Sequence, residues 1–169
     1  MLVQDAAIFS AYYQERVFHT ELSCYGLYFY KQSLLKKGVF DGRELPIIRG
    51  GEIFCRLDQF IDSAWKYFSV LGYWGPLLFE ARLTDVHECP FDLPLRDDPR
   101  DELYYCPDRE VTHKKELFAN ALPEEKPRLV LETLQLIGWA FNIDIHLEFL
   151  RRFYSKIKRR DLFPKNFQV

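Results

Sequence analysis

The stretch FSVLGYWGPLLFEARLTDV, residues 68–86, decides the fold: it ends a helix, turns the chain and starts a strand within nineteen residues. Upstream, in residues 50–72, Ile53, Phe54, Leu57, Phe60, Ile61, Ala64, Tyr67, Phe68 and Leu71 recur at the three-and-four spacing of one apolar helix stripe. Arg56, Asp58, Asp62 and Lys66 fall on the opposite face. Gly72 stands just past the last periodic residue, where a left-handed cap ends a helix, and Pro76 cannot continue one. Beyond it Leu77, Phe79, Ala81 and Leu83 alternate with Leu78, Glu80, Arg82 and Thr84, the period of a strand buried on one side. Tyr73 and Trp74 then cover the corner of the core, and they are the residues nominated for binding a protein partner, because aromatic anchors dominate interface energetics.

Outward from this joint, residues 16–23 (RVFHTELS) and 27–34 (LYFYKQSL) alternate around Gly26 and predict a β-hairpin. Residues 1–13 form a lead-in whose periodicity does not choose between helix and strand. Residues 36–44, KKGVFDGRE, read as a loop. On the other side, residues 86–108 form an acidic, proline-rich loop, with a short strand at 102–106. Residues 85–110 carry a net charge of −6 and four of the nine prolines. Val111, His113, Lys115 and Leu117 alternate with Thr112, Lys114 and Glu116, a weak apolar face suited to a sheet edge around Val111. Helices follow over 128–141 and 144–160, with a break at Asn142. The order β-β-α-β-(β)-β-α-α predicts one α+β domain over residues 1–169, an antiparallel sheet with about three helices on one face.

At 169 residues the chain is long enough to bury a core without disulfide or metal. Aromatic residues make up 17% of it, which predicts a core built on large rings. A formal net charge of −2 excludes uniform attraction to nucleic acid or membrane. The four widely spaced cysteines predict thiols in a reducing compartment, and no leader or spanning segment is read, so the expected location is the cytoplasm.

Chemistry is weakly signalled. Gly50 and Gly51 lack the further glycines and the Lys-Ser/Thr of a phosphate loop. No serine lies in a Gly-x-Ser-x-Gly elbow. Asp85, His87 and Cys89 alternate, which on an extended strand would aim three ligands to one side, with Cys106 and His113 downstream; the paired Cys-x-x-Cys spacing of zinc sites is missing. Nothing in the sequence separates a catalytic histidine from a structural one among His19, His87, His113 and His146. No catalytic residue, metal ligand or cofactor is therefore assigned. The tail from residue 151 to 169 carries a net charge of +6. There Arg151, Arg152, Lys156, Lys158, Arg159 and Arg160 interleave with Phe153 and Tyr154, and this basic C-terminal helix and tail is the candidate nucleic-acid-binding segment. A solvated helix face that complements the helix dipole explains the same pattern.

The hairpin, the helix and corner FCRLDQFIDSAWKYFSVLGYWGPLLFEARLTDV, the acidic insertion, REVTHKKEL and LVLETLQLIGWAF together resemble, over residues 14–141, the region downstream of the AlbA-type, Schlafen-like ATP- or nucleic-acid-binding domain of many bacterial proteins. That resemblance implies a bacterial cytoplasmic accessory module, tethered to a catalytic or nucleic-acid-binding partner domain. The AlbA-type domain itself is not recognisable here, so no residue inherits its chemistry. Three functions are weighed: a non-enzymatic module binding a protein partner or neighbouring domain, with self-association as one form; a nucleic-acid-binding accessory; and a small-molecule sensor or unrecognised enzyme, which needs a deep polar-lined pocket.

Overall fold

A computed structural model describes residues 6–13, 16–23, 28–32, 35–40, 43–87, 89–92 and 104–159. In chain order the elements are β1 (Ala6–Tyr13), β2 (Arg16–Ser23), β3 (Tyr28–Gln32), β4 (Leu35–Phe40), β5 (Arg43–Arg49), α1 (Gly50–Val70), β6 (Pro76–Thr84), β7 (Pro90–Asp92), β8 (Tyr104–Tyr105) and β9 (Glu110–Phe118). A 3₁₀ turn (Ala119–Ala121), α2 (Leu122–Ala140) and α3 (Leu147–Arg159) complete an α+β architecture.

The strands divide among three sheets rather than one: β1-β2-β3, β4-β5-β7-β8 and β6-β9. The hairpin expected over 16–34 is present, with Phe18 opposite Gln32 and Leu22 opposite Tyr28 in antiparallel register; its connection at Gly26 lies outside the described residues. The lead-in, left open between helix and strand, contains strand β1, paired along its length with β2. One expectation is corrected. The stretch read as a loop over 36–44 is the hairpin of β4 and β5, where a Cβ on Gly38 would collide with the Ile47 side chain, so glycine here makes room for a diagonal neighbour. β5 then pairs in parallel with β7, through Ile48 opposite Phe91. The acidic excursion thus supplies two short strands, β7 and β8, the second lying within the predicted 102–106.

α1 buries Ile53, Phe54, Ile61, Ala64 and Phe68, all members of the predicted stripe. Each large side chain taken fully out of water contributes roughly 1.5–3 kcal/mol. Against this face α2 sets Leu129, Val130, Leu134 and Ile137, while Phe79 of β6 and Leu150 of α3 enter the same core. Phe141, just past α2, stacks on Phe91 of β7 with ring centroids 4.8 Å apart. α1 and α2 are also latched by a buried cation: Lys126 Nζ lies 2.7 Å from Asp62 Oδ1 and 3.2 Å from Asp58 Oδ1. Burial penalises that ammonium, but the hydrogen bonds to Asp62 and Asp58 and their charge outweigh it and hold its pKa above the ordinary lysine value.

The predicted break at Asn142 is a left-handed residue with φ 61°. Asn142 N–H donates to the Trp139 carbonyl and Ile143 N–H to that of Gly138, the two bonds of a Schellman cap. Gly138 lets the chain fold back on α2, because a Cβ there would meet Ile145 Cγ1 at 2.8 Å and the Ile143 carbonyl at 3.1 Å. α3 therefore starts at Leu147, three residues later than periodicity alone suggests.

Candidate functional site

The end of α1 is built in the same way as that of α2. Gly72 has φ 66°, its N–H donates to the Ser69 carbonyl (3.1 Å), and Tyr73 N–H donates to the Phe68 carbonyl (2.9 Å). A Schellman cap usually brings an apolar contact between these last two positions. Here it is aromatic, with the Tyr73 and Phe68 rings 5.8 Å apart. The Tyr73 hydroxyl donates to the Pro76 carbonyl at 2.7 Å, so its ring spans Gly75, where a Cβ would lie 2.7 Å from the Tyr73 Oη. Ala119 N–H donates to the Gly75 carbonyl at 2.9 Å and ties the corner to the end of β9.

Tyr73 and Trp74 thus have different roles, which the sequence does not separate. Tyr73 is a staple of the turn. Trp74 is 48% exposed, and its indole makes no hydrogen bond or ring contact among the described residues. Other apolar side chains that water still reaches flank it along the chain or lie on the ribbon that follows: Val70 (88% exposed) and Leu71 at the end of α1, Leu78 (61%) on β6 and Phe118 (60%) on β9. Antiparallel register sets Pro76 opposite Phe118 and Leu78 opposite Glu116. Residues directly opposite share a face, so Leu78 and Phe118 are diagonal neighbours on the outer side of the β6-β9 ribbon. Periodicity found the corner, but Phe118 enters it only through strand pairing across about forty residues.

Farther along the same outer face the chemistry changes to charge. Lys114 Nζ lies 3.2 Å from Glu80, Arg82 Nε lies 3.3 Å from Glu110, and Arg82 pairs with Glu80. Hydrogen bonds from Arg82 and Lys114 hold the Glu80 carboxyl below its ordinary pKa. The inner face carries Val111, His113, Lys115 and Leu117, the set the alternation predicts. Val111 is buried opposite Leu83, so the edge around it offers backbone and polar residues rather than this side chain.

His113 is held between β9 and α2. The Thr133 hydroxyl donates to the Leu129 carbonyl (2.7 Å), which leaves its oxygen to accept from His113 Nδ1–H (2.8 Å). Burial, with Glu132 opposing it and Lys115 adding to it, pushes the His113 pKa below the ordinary value. The ring packs edge-on against Phe79, so this is a half-buried histidine engaged on both sides by structural partners. His87 and His146 are exposed. His19 lies on β2.

The three-ligand strand imagined for Asp85, His87 and Cys89 does not form. Asp85 has φ 57°, so the strand ends at Thr84, and a turn closed by Cys89 N–H to the Val86 carbonyl (3.1 Å) follows. Among the described residues no group of three or more His, Cys, Asp or Glu is placed to hold a metal.

On α3, Arg151 and Arg152 are exposed, and Arg152 lies 3.5 Å from Glu148 one turn earlier. Lys156, Lys158 and Arg159 belong to the same helix, and Arg160 lies outside the described residues. No helix among the described residues is long and apolar enough to cross a membrane. No protein family, curated protein or solved structure matches the chain.

Proposed function

We propose that the chain is a non-enzymatic accessory module of a bacterial cytoplasmic system, docking a protein partner or a tethered neighbouring domain through the corner centred on Trp74. The observation that carries this reading is the run of exposed apolar side chains Val70, Leu71 and Trp74 along the end of α1 and its turn, leading into the diagonal pair Leu78 and Phe118 on the β6-β9 ribbon. The capped and stapled turn fixes the backbone on either side of Trp74, so little backbone freedom remains to be lost there on binding. A charged rim of Glu80, Arg82, Lys114 and Glu116 borders the apolar end, the arrangement of a dry centre with a wet edge. The test begins with a photoreactive phenylalanine analogue at position 118 in the native cell. The adduct that recurs identifies the partner, whose affinity for purified variants is then measured. Trp74→Ala should weaken it by roughly 30-fold, the loss of about 2 kcal/mol typical of a buried aromatic anchor. Unchanged affinity for Trp74→Ala, or adducts scattered equally from a control site on the far side of α2, would refute the reading.

The exposed pair Arg151 and Arg152 favours a second reading, in which the basic face of α3 tracks the phosphates of a nucleic acid. Binding to labelled oligonucleotides should then fall steeply between about 50 and about 200 mM salt and vanish in Arg151→Glu/Arg152→Glu. Absence of binding at the lower salt removes this reading.

A further inference from the structure

The ribbon of β6 and β9 is a sheet of two strands, and no other strand among the described residues pairs with β6. One edge of β6 is therefore open, and the register tells which backbone groups it offers. Ala119 N–H donates to the Gly75 carbonyl, one step before the first ladder pair, Pro76 opposite Phe118. Facing residues of an antiparallel ladder alternate between pairs that exchange both bonds and pairs that exchange none. The odd-numbered residues of β6 thus turn N–H and C=O toward β9, while Leu78, Glu80, Arg82 and Thr84 turn theirs to the open side. Pro76, which has no N–H, opens the outward series at the first residue of the strand, a position where proline is tolerated. Asp85, at φ 57°, closes it.

An open edge is a template for another strand, and its side chains decide which. Leu78, Arg82 and Thr84 are exposed on the outer face and Glu80 is half-buried there. Against an antiparallel copy of β6, an axis at Glu80 or at Arg82 sets like charges opposite one another, which destabilises the pair. An axis at Ala81 instead sets Glu80 opposite the partner's Arg82, and Leu78 opposite the partner's Thr84. All four residues then donate and accept one backbone bond each. The charged row already formed by Lys114 Nζ and Glu80, 3.2 Å apart, continues into the partner's Arg82. On the inner face Phe79 meets the partner's Leu83, and at the axis the small side chain of Ala81 suits a pair without hydrogen bonds, whose Cα atoms approach to about 4.5 Å.

We propose that β6 is a self-association edge: a second copy of the chain adds its own β6 about a two-fold axis at Ala81, giving one continuous sheet in the order β9-β6-β6-β9. Of the apolar residues assigned to the Trp74 corner, this interface uses Leu78 alone.

Light scattering during gel filtration of the full chain, over a range of loading concentrations, tests it. The parent should form a dimer as concentration rises. Arg82→Glu sets carboxylate against carboxylate in both charged pairs, and Glu80→Arg sets guanidinium against guanidinium, so each variant alone should be monomeric. Mixed in equal amounts, the two should form a heterodimer, because both pairs are then opposite in sign; recovery in the mixture also shows that each variant is folded. Leu78→Pro removes an outward N–H and no bond to β9, and should give a monomer with the circular dichroism of the parent. Trp74→Ala should remain dimeric. A parent that stays monomeric at every concentration, a dimer that persists in Arg82→Glu, or a mixture that stays monomeric while the parent dimerises would each overturn the proposal. So would a dimer lost in Trp74→Ala and kept in Leu78→Pro, which would assign the contact to the corner.

Discussion

Substituting Gly72 by alanine separates backbone strain from packing at the corner, because the position is left-handed at φ 66° and a Cβ there meets nothing within 4 Å. An L-residue with a Cβ held in that conformation costs about 1–2 kcal/mol. Restricting the unfolded chain returns about 0.4–1 kcal/mol of this, so Gly72→Ala should lose about 1 kcal/mol net. For a chain of this size that is a fall in Tm of about 2–4 °C. Thermal and urea unfolding followed by circular dichroism would measure it, with the denaturant slope unchanged. Two companions fix the cause. Gly72→Asn should lose less than alanine, since asparagine tolerates the left-handed region and already occupies the equivalent position, Asn142, after α2. Gly75→Ala should lose more, because its Cβ would drive the Tyr73 ring off Phe68 and break the bond from Tyr73 to the Pro76 carbonyl. The reasoning fails if Gly72→Ala is as stable as the parent, or if it costs as much as Gly75→Ala.

Two further outcomes are expected. Lys126→Met removes the cation that both Asp58 and Asp62 face, and should lower stability in urea by about 2 kcal/mol, less than for a fully buried pair because Asp62 is half exposed; Asp62→Asn should cost under about 1 kcal/mol. Because the folded pKa of Lys126 is raised, its contribution is complete below the unfolded lysine pKa and fades as pH climbs through the folded one, so the parent should lose its advantage over Lys126→Met in strong alkali. His113 shows the opposite linkage. Its folded pKa is lowered, so the unfolded chain binds the proton better, and stability present above the ordinary histidine pKa should decline as pH falls below about 6.5. Tm measured across this range should show a smaller acid decline in His113→Gln; an equal decline in both chains would assign it to other groups.

The elements legible in the sequence are those whose cause is local. The stripe of α1, its glycine cap, the alternation of β6 and β9 and the break at Asn142 each rest on residues within a few positions of one another. β4 and β5 were opaque for the opposite reason. Lys36, Lys37, Gly38, Asp41 and Gly42 carry loop composition, and the hairpin that sets Ile47 and Ile48 opposite Lys36 and Leu35 gains its parallel neighbour β7 only some forty residues onward. The candidate surface divides in the same way. Tyr73 and Trp74 are conspicuous as text, but which one staples the turn depends on Phe68, Gly75 and Pro76 together, and Phe118 joins them only through the β6-β9 register.

The strand order has a kinetic consequence. β7 and β8 lie in sequence between β6 and β9, yet they belong to the sheet of β4 and β5, so the connection within one ribbon supplies a strand pair to another sheet. Closing β6 on β9 brings Thr84 to Glu110, and joining β5 to β7 spans all of α1 and β6. Loop closure costs entropy before any contact repays it, but a segment already gathered by one closure meets a smaller cost in the second. The two events are therefore coupled: the β6-β9 ribbon acts as a drawstring on the sheet of β4, β5, β7 and β8, and slack introduced by lengthening the connection should slow the folding of both at once.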